Sequence, residues 1–222
     1  VTASSRSQHW VHGSRNAIPF SGMCAIDGSA SDPIRKLRQV GGAAVAIPQT
    51  DRVTDHCCPL AALIYAAVPG TCKDSEYCEI YALLLALENS VPPLHVFCDC
   101  LNVVRDCASG RTHCTRHQHP YADAWQLVWD KLRDQGMVID AGSRAERIDN
   151  SLLKLEKTSA HLTWEAASLD GACFAEWQLN RWADRGAKWA AINQLNDSYP
   201  DPFMSDTQEV ELQRVLLEHD IV

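Results

Sequence analysis

The chain has 222 residues, 46% of them hydrophobic and 22% charged, and its formal net charge is −8. This balance is ordinary for a soluble globular protein of one domain with tails, and no apolar run approaches the roughly 18 residues of a membrane span. The polar N-terminus also lacks the apolar stretch of a secretory signal. The composition therefore argues against membrane and exported proteins, and it predicts an intracellular protein without resolving nucleus from cytoplasm.

Ten cysteines would suit a disulfide-bonded secreted protein, but several lie in apolar runs, where a free thiol behaves as a small buried hydrophobe. We therefore expect reduced thiols. Residues 56–58 and 107–119 contain histidine and cysteine side chains that can bind zinc. Neither stretch has the paired C-x2-C spacing of a structural site, so the sequence leaves zinc binding open.

The predicted elements begin after residue 20. Residues 1–20 contain Ser, Arg, His and Gly without periodicity, which predicts a linker or tail. Three apolar runs bounded by Gly, Pro and Asp then predict strands at 23–26, 41–47 and 60–68. Short connections between these strands indicate an antiparallel meander.

An amphipathic helix follows the meander, because four apolar residues have helical spacing: Ile80, Leu83, Leu84 and Leu87. Pro92-Pro93 is expected to stop this helix. The apolar run 94–98 predicts a fourth strand that ends at Asp99, and residues 101–107 predict a short helix.

The second half of the domain predicts two longer helices and one strand. Apolar spacing predicts a helix around Trp125 and Trp129 and a last core helix over roughly 177–192, with a strand near 152–158 between them. The order of elements implies an α/β fold whose mixed five-stranded sheet, a meander followed by parallel strands, is flanked by helices. We expect a domain at 21–195 and an extension at 196–222 with a short amphipathic helix.

Asp27 and Asp99 both follow apolar strand-like runs. An unpaired buried carboxylate is costly, so Asp27 indicates a compensating cation or hydrogen-bond donors, although D-G-S is also a common turn sequence. Asp99 closes the fourth strand, and α/β folds tend to place ligands at such ends. Its alternative role is the N-cap of the helix that starts at Leu101.

Two further carboxylates lie at the edges of apolar helical stripes. Glu79 lies four residues before Leu83, and its alternative role is that of a solvated surface residue. Asp184 lies beside Ala183 in the last core helix, and its alternative is a surface ion pair with Lys188. Each carboxylate is a weak indication when taken alone.

Four stretches of the sequence, taken in order, resemble the motifs of the ribonuclease H family. They are Ile26-Asp27-Gly28-Ser29, Glu79-Ile80-Tyr81-Ala82, Phe97-Cys98-Asp99 and Asn180-Arg181-Trp182-Ala183-Asp184-Arg185-Gly186-Ala187-Lys188. The family has a first strand with D-G-S, a first helix with E-L-x-A, a fourth strand ending in Asp, and a closing helix of the N-x-x-A-D-x-x-A-K kind. The resemblance covers roughly residues 21–193, and four ordered motifs are far more specific than D-G-S alone.

The resemblance implies a metal-dependent endonuclease that cuts the RNA strand of an RNA–DNA hybrid. Asp27, Glu79, Asp99 and Asp184 would be catalytic and would bind two Mg²⁺ or Mn²⁺ ions, which prefer oxygen ligands. His161 looks like the family's mobile-loop histidine, which would assist proton transfer or product departure. This chain has 22 residues between His161 and Asp184, more than compact members have. The position of His161 therefore stays open, and a loop histidine without a role is its alternative.

The resemblance also implies contacts with the hybrid. The backbone near Gly28 and Ser29, together with Asn102, would approach the RNA strand and its 2′-hydroxyls. Asn180 would steady the hybrid, and capping of a helix is an equal alternative for it.

A basic segment occupies the place of the substrate-gripping element of many family members. It contains Arg105, Arg111 and Arg116, and a solvated loop is the equal alternative. The net charge of −8 argues against general polyanion binding, so any grip on nucleic acid depends on how charge is distributed.

The long segment before Asp184 is similar to that of retroelement-borne family members. The first residue is Val rather than Met, and we expect a fragment or processing product, either freestanding or the module of a polyprotein with a covalently linked reverse transcriptase. Two alternatives remain: a catalytically inactive domain of the same fold that binds nucleic acid or a protein, and a DNA-cutting relative. Four mutually repelling acids argue against the first, and the D-G-S and N-x-x-A-D motifs argue against the second.

Overall fold

The computed structural model describes residues 9–31, 40–69, 74–140, 146–159 and 162–193. Its strands are β1 (His9–Gly13), β2 (Phe20–Ser31), β3 (Val40–Pro48), β4 (Leu60–Ala67), β5 (Ser90–Cys98), β6 (Val138–Asp140), β7 (Glu146–Ile148) and β8 (Leu153–Lys157). Its helices are α1 (Ser75–Glu88), α2 (Leu101–Ser109), α3 (Arg111–Cys114), α4 (Ala122–Asp134), α5 (Trp164–Leu169) and α6 (Phe174–Asn193).

One mixed sheet organises these elements, with the strand order β1-β4-β3-β2-β5-β8. Strands β2, β3 and β4 form an antiparallel meander, and β5 and β8 run parallel to β2. Five of the six strands form the predicted α/β architecture and confirm it; they are β2, β3, β4, β5 and β8. Strands β6 and β7 form a separate two-stranded ribbon.

Strand β1 corrects the prediction that residues 1–20 are only a linker or tail. Residues His9–Gly13 pair antiparallel with β4, with Val11 opposite Ile64. The segment is short and lies at the edge of the sheet, so backbone hydrogen bonds hold it. Its sequence, His-Trp-Val-His-Gly, has neither a long apolar run nor an alternation of polar and apolar residues, so no pattern marked it as a strand.

Strand β2 continues through the D-G-S stretch rather than turning there. Asp27, Gly28 and Ser29 each pair with a residue of β3, and β2 ends only at Ser31. The turn alternative for Asp27 is therefore wrong, and its carboxylate belongs to a central strand of the sheet.

Helices cover both faces of the sheet, because successive residues of a strand point to opposite sides. On one face, Ile26 and Ile64 pack in the core formed with α1 and α4. Trp125 and Trp129 of α4 are fully buried in that core, as their place on an apolar stripe predicts. On the other face, Ala25 and Leu63 pack against α6.

Helix α1 begins and ends where its flanking residues satisfy free backbone groups. The Asp74 side chain accepts a hydrogen bond from the backbone N–H of Tyr77 at 2.9 Å, which caps the N-terminus. The helix ends at Glu88, and Pro92-Pro93 lies within β5 instead of stopping the helix directly. Among the described residues, none of the helices combines the length and the apolar character needed to cross a membrane. The predicted extension at 196–222 lies outside the described residues.

Candidate active site

The pairing of β2 with β5 brings two of the predicted carboxylates side by side. Ile26 lies in register with Cys98 in these parallel strands, so the next residues along each chain, Asp27 and Asp99, are neighbours at the sheet edge. Asp99 lies directly after β5, and Cys100, not Asp99, is the N-cap residue of α2. The N-cap alternative for Asp99 is therefore wrong.

The third carboxylate comes from α1, which approaches β2 very closely at Gly28. A Cβ atom at Gly28 would lie 2.2 Å from the backbone nitrogen of Glu79, a distance that no side chain can occupy. Glycine thus lets the helix touch the strand and places Glu79 next to the residue that precedes Gly28. Glu79 is 2% exposed, so the solvated alternative for it is wrong.

Asp27, Glu79 and Asp99 form one compact group of carboxylates. Each offers an oxygen, and these oxygens all lie within 4.8 Å of one another. Asp27 is 4% exposed. Burial raises the pKa of Asp27 well above its usual range, and the charges of Glu79 and Asp99 raise it further.

The pKa of Glu79 is shifted in the same direction. Burial and the nearby charge of Asp99 raise the pKa of Glu79 well above its usual range, while a hydrogen bond from the backbone of Gly28 opposes that shift. A cation bound between these two carboxylates would favour their ionised forms and lower both pKa values.

Asp184 lies beside this group but outside the 4.8 Å set. Its two carboxylate oxygens contact Lys188 Nζ at 2.8 and 2.9 Å, which is the ion pair that the sequence offered as an alternative. Its charge still reaches Asp27, whose pKa it raises and Lys188 lowers. If the Asp184 carboxylate left Lys188 and bound a cation together with Asp27, Glu79 and Asp99, the cation would have four carboxylate ligands.

Helix α6 is set against the sheet by small residues. A Cβ atom at Gly42 of β3 would lie 2.0 Å from the backbone oxygen of Ala187, and one at Gly186 would lie 2.8 Å from Ala44 Cβ. This close packing holds Asp184 at the same edge of the sheet as Asp27.

The donor set is made only of carboxylate oxygens, which fits Mg²⁺ or Mn²⁺ and not a soft metal.

The predicted substrate-binding residues differ in their exposure. Gly28 is buried under α1, whereas Ser29 is half-buried and Asn102 is exposed. The Asn102 side chain donates a hydrogen bond to Glu76 at 2.8 Å. Asn180 lies inside α6, six residues after its first residue, so the helix-capping alternative for Asn180 is wrong.

The three arginines of the basic segment also have different surroundings. Arg111 is half-buried and forms ion pairs with Glu146 at 2.9 Å and Asp130 at 3.1 Å. It therefore ties α3 to α4 and β7. Arg105 and Arg116 are exposed, and they leave two cationic side chains on this surface.

The structure also brings together Asp106, His113 and His119; the two histidines belong to the stretch 107–119, for which the sequence left zinc binding open. His119 Nε2 lies 2.8 Å from Asp106, and the backbone N–H of Tyr121 donates to His119 Nδ1 at 3.2 Å. Because Nδ1 accepts a hydrogen bond, the proton of the neutral ring is on Nε2, which donates to Asp106. Hydrogen bonding accounts for this group without a metal.

A groove between α5 and α6 adjoins Asp184. Its lining includes Trp164, Trp177, Asn180 and Arg181, and its volume is about 490 Å³. Trp164 and Trp177 belong to the long segment between His161 and Asp184, to which the sequence assigned no ligand. The spacing of Trp177 and Arg181, four residues apart on one helix, is the signal that could have identified this surface. His161 lies outside the described residues.

No protein-family model and no curated protein matches the sequence, whereas solved structures do. LC9-RNase H1, a type 1 RNase H with the type 2 active-site motif, is 12% identical with a TM-score of 0.50, and the match covers 78% of this chain and 73% of that one. The N-terminal RNase H domain of a Mycobacterium tuberculosis protein, fused to maltose-binding protein, is 13% identical with a TM-score of 0.45, covering 79% and 97%. The foamy viral protease–reverse transcriptase bound to double-stranded DNA is 12% identical with a TM-score of 0.43, covering 74% and 92%.

At these identities the likeness concerns the fold alone, and the fold assignment rests on the match to LC9-RNase H1. The sheet agrees with that assignment, since an antiparallel meander is followed by two parallel strands with helices on both faces. The chain has the ribonuclease H-like fold.

Proposed function

We propose that this chain is a metal-dependent endonuclease that hydrolyses the RNA strand of RNA–DNA hybrids. One observation carries the proposal: Asp27, Glu79 and Asp99, from three separate elements, place carboxylate oxygens within 4.8 Å of one another at one edge of the sheet. A fold gains nothing in stability from buried like charges. Their convergence is therefore best explained by cations that all of them bind.

In this proposal Asp27, Glu79, Asp99 and Asp184 are catalytic residues that hold two Mg²⁺ or Mn²⁺ ions. The bound ions would supply activation of the attacking water and neutralisation of charge on the leaving oxygen. Asp27 and Glu79 are held by the strand and helix that bury them, whereas Asp184 is partly exposed and would turn from Lys188 towards the site to join them. His161 would assist proton transfer or product departure.

The substrate contacts form the second part of the proposal. Exposed Asn102 and half-buried Ser29 lie next to the carboxylates in sequence and would contact the RNA strand, with Asn180 steadying the hybrid and Gly28 shaping the backbone. Arg105 and Arg116, both exposed, would contact phosphates. Arg111 would instead act by holding this segment in place through its ion pairs.

A cleavage assay with three substrates tests this function. Labelled RNA–DNA hybrid, RNA duplex and DNA duplex are each incubated with the protein in Mg²⁺, in Mn²⁺ and in chelator. We expect cleavage of the hybrid's RNA strand only, and only with metal. Asp99→Asn should abolish it, whereas Asp51→Asn, at an exposed residue of the turn Thr50–Arg52, should leave it unchanged.

Each other outcome supports a different reading. Binding of hybrid without cleavage in either metal would indicate a catalytically inactive domain, and cutting of the DNA duplex would indicate a DNA-cutting relative. Cleavage that survives both chelator and Asp99→Asn would overturn the metal-dependent mechanism.

We also propose that the chain is the ribonuclease H module of a retroelement polyprotein with a covalently linked reverse transcriptase. The sequence resemblance of the long segment before Asp184 supports this. The full open reading frame around the coding sequence tests it, because a frame without a polymerase domain contradicts the proposal.

A further inference from the structure

The groove between α5 and α6, which we call the α5–α6 groove, shares Asp184 with the candidate active site. It is lined by Ser159, Leu162, Thr163, Trp164, Glu165, Trp177, Asn180, Arg181 and Asp184. Its volume of about 490 Å³ lies within the range of about 300–1,000 Å³ that small-molecule pockets have. A group the size of one nucleotide therefore fits beside the carboxylates.

Asn180 gives the first indication of the ligand's chemistry. It is 5% exposed, and its Oδ1, itself buried, has no hydrogen-bond partner among the described residues. A ligand donor in the groove reaches this oxygen only when the side chain turns outward. An unpaired buried acceptor is costly unless a ligand supplies a donor. Phosphate oxygens accept and do not donate, so the ligand must bring an N–H or O–H group. Nucleobase amines and imides and ribose hydroxyls all meet this requirement.

The aromatic wall gives the second indication. Trp164 and Trp177 have ring centroids 5.7 Å apart, and Trp177 Nε1 donates to the backbone oxygen of Leu162 at 2.9 Å, which fixes its ring. The Arg181 guanidinium lies 5.1 Å from the Trp177 centroid. Aromatic rings with an arginine beside them are the elements with which proteins bind unpaired bases and their phosphates.

A base inside a duplex cannot use this wall, because its faces are already covered by neighbouring bases. Glu165 also lines the groove. Its carboxylate repels a phosphate group and, like Asn180 Oδ1, accepts hydrogen bonds. Both features favour an unpaired nucleotide that presents its base to the groove and its phosphate to Arg181.

We propose that the α5–α6 groove binds an unpaired nucleotide of a single strand that continues from the hybrid held at the candidate active site. The base packs against Trp164 and Trp177, and Asn180 Oδ1 accepts a hydrogen bond from the base or ribose. This assignment rests on the proposed function for the hybrid, but the groove's chemistry can be tested separately from cleavage.

The experiment compares five labelled probes in chelator by fluorescence anisotropy. They are a blunt RNA–DNA hybrid, the same hybrid with a six-nucleotide single-stranded RNA extension at either end, and the extended hybrids with abasic nucleotides. We expect one extended hybrid to bind about tenfold more tightly than the blunt one, in line with base stacking on aromatic side chains. The abasic extension, which keeps its phosphates, should lose that gain.

Variants assign the gain to the groove. Trp164→Ala should reduce the ratio of extended to blunt affinity to about one. Because this change can loosen α5, Arg181→Gln, at an exposed residue, serves as a second variant and should reduce the same ratio. Arg52→Ala, at an exposed arginine of the turn Thr50–Arg52, is the matched control and should keep the wild-type ratio.

Cleavage of the blunt hybrid in Mg²⁺, measured in parallel, separates the two proposals. Equal affinity for blunt and extended hybrids, or full affinity with abasic extensions, overturns the groove assignment even if the blunt hybrid is cut. A tenfold preference without any cleavage supports the groove and overturns the proposed function.

Discussion

Asp27→Asn should stabilise the folded protein when no divalent metal is present. The substitution keeps the size of the side chain and removes one of three charges whose oxygens lie within 4.8 Å. With an effective dielectric constant of about 20, two unit charges at that distance repel by about 3.5 kcal/mol. Since burial and mutual repulsion raise the pKa values of Asp27 and Glu79, protonation relieves part of this repulsion, and we expect a gain of about 1–3 kcal/mol.

Urea unfolding in chelator measures this gain directly, and a thermal scan should show a rise of about 2–4 °C for each kcal/mol in a domain of this size. Asp51→Asn, at an exposed aspartate, is the control and should change neither quantity. With saturating Mg²⁺ the order should reverse, because ion binding stabilises the wild type more than the variant. If Asp27→Asn were no more stable than the wild type in chelator, the carboxylates would not repel one another, and the shared ion site would be refuted.

Three further outcomes follow from the same contacts. Gly28→Ala should lower the free energy of unfolding by about 3 kcal/mol or more, because its Cβ would meet the α1 backbone. Gly136→Ala, which has open space but a φ of +69° that strains an alanine, is the comparison and should cost only about 1 kcal/mol; an equal loss in both would contradict the steric argument. In chelator, the free energy of unfolding should fall as pH rises from about 4 to 8. The folded-state pKa values of Asp27 and Glu79 lie above their unfolded values, so the folded protein binds more protons. Urea midpoints that rise with pH would contradict this. Arg111→Ala should lower the free energy of unfolding by about 1–2 kcal/mol, because its ion pairs are lost. Arg116→Ala should leave that free energy unchanged but weaken hybrid binding and its salt dependence. The reverse pattern would indicate that Arg111, not Arg116, contacts the substrate.

The main strands were predictable from sequence because their apolar runs are bounded by turn residues. The order of elements then fixed which strands are neighbours, and the parallel register of β2 and β5 follows from the fold, not from a local pattern. Asp27 and Asp99 were recognised as unusual because each follows an apolar run. Only the pairing of β2 with β5 in the sheet shows that these two carboxylates are neighbours.

Other features could not be predicted because they depend on partners that are distant in sequence. Arg111 was expected to grip substrate, yet it pairs with Glu146, 35 residues away. Strand β1 is only five residues long and lacks polar–apolar alternation, so its pairing with the distant β4 is visible only in the folded chain. Asn180 Oδ1 is buried without a partner among the described residues because of how α6 packs in the folded chain, which no local sequence pattern shows.

Two glycines on neighbouring strands decide how closely the acids approach. Gly28 lets α1 touch one face of the sheet, and Gly42 lets α6 touch the other, with Cβ positions only 2.2 and 2.0 Å from helix backbone atoms. Any side chain at either position would push away the helix that carries Glu79 or Asp184. Because an ion site tolerates little error in the positions of its ligands, such a shift would separate the carboxylates even with every acid retained. The glycines are therefore as much a condition of the proposed chemistry as the carboxylates, and a homologue with the acids but a larger residue at Gly28 should bind hybrid without cutting it.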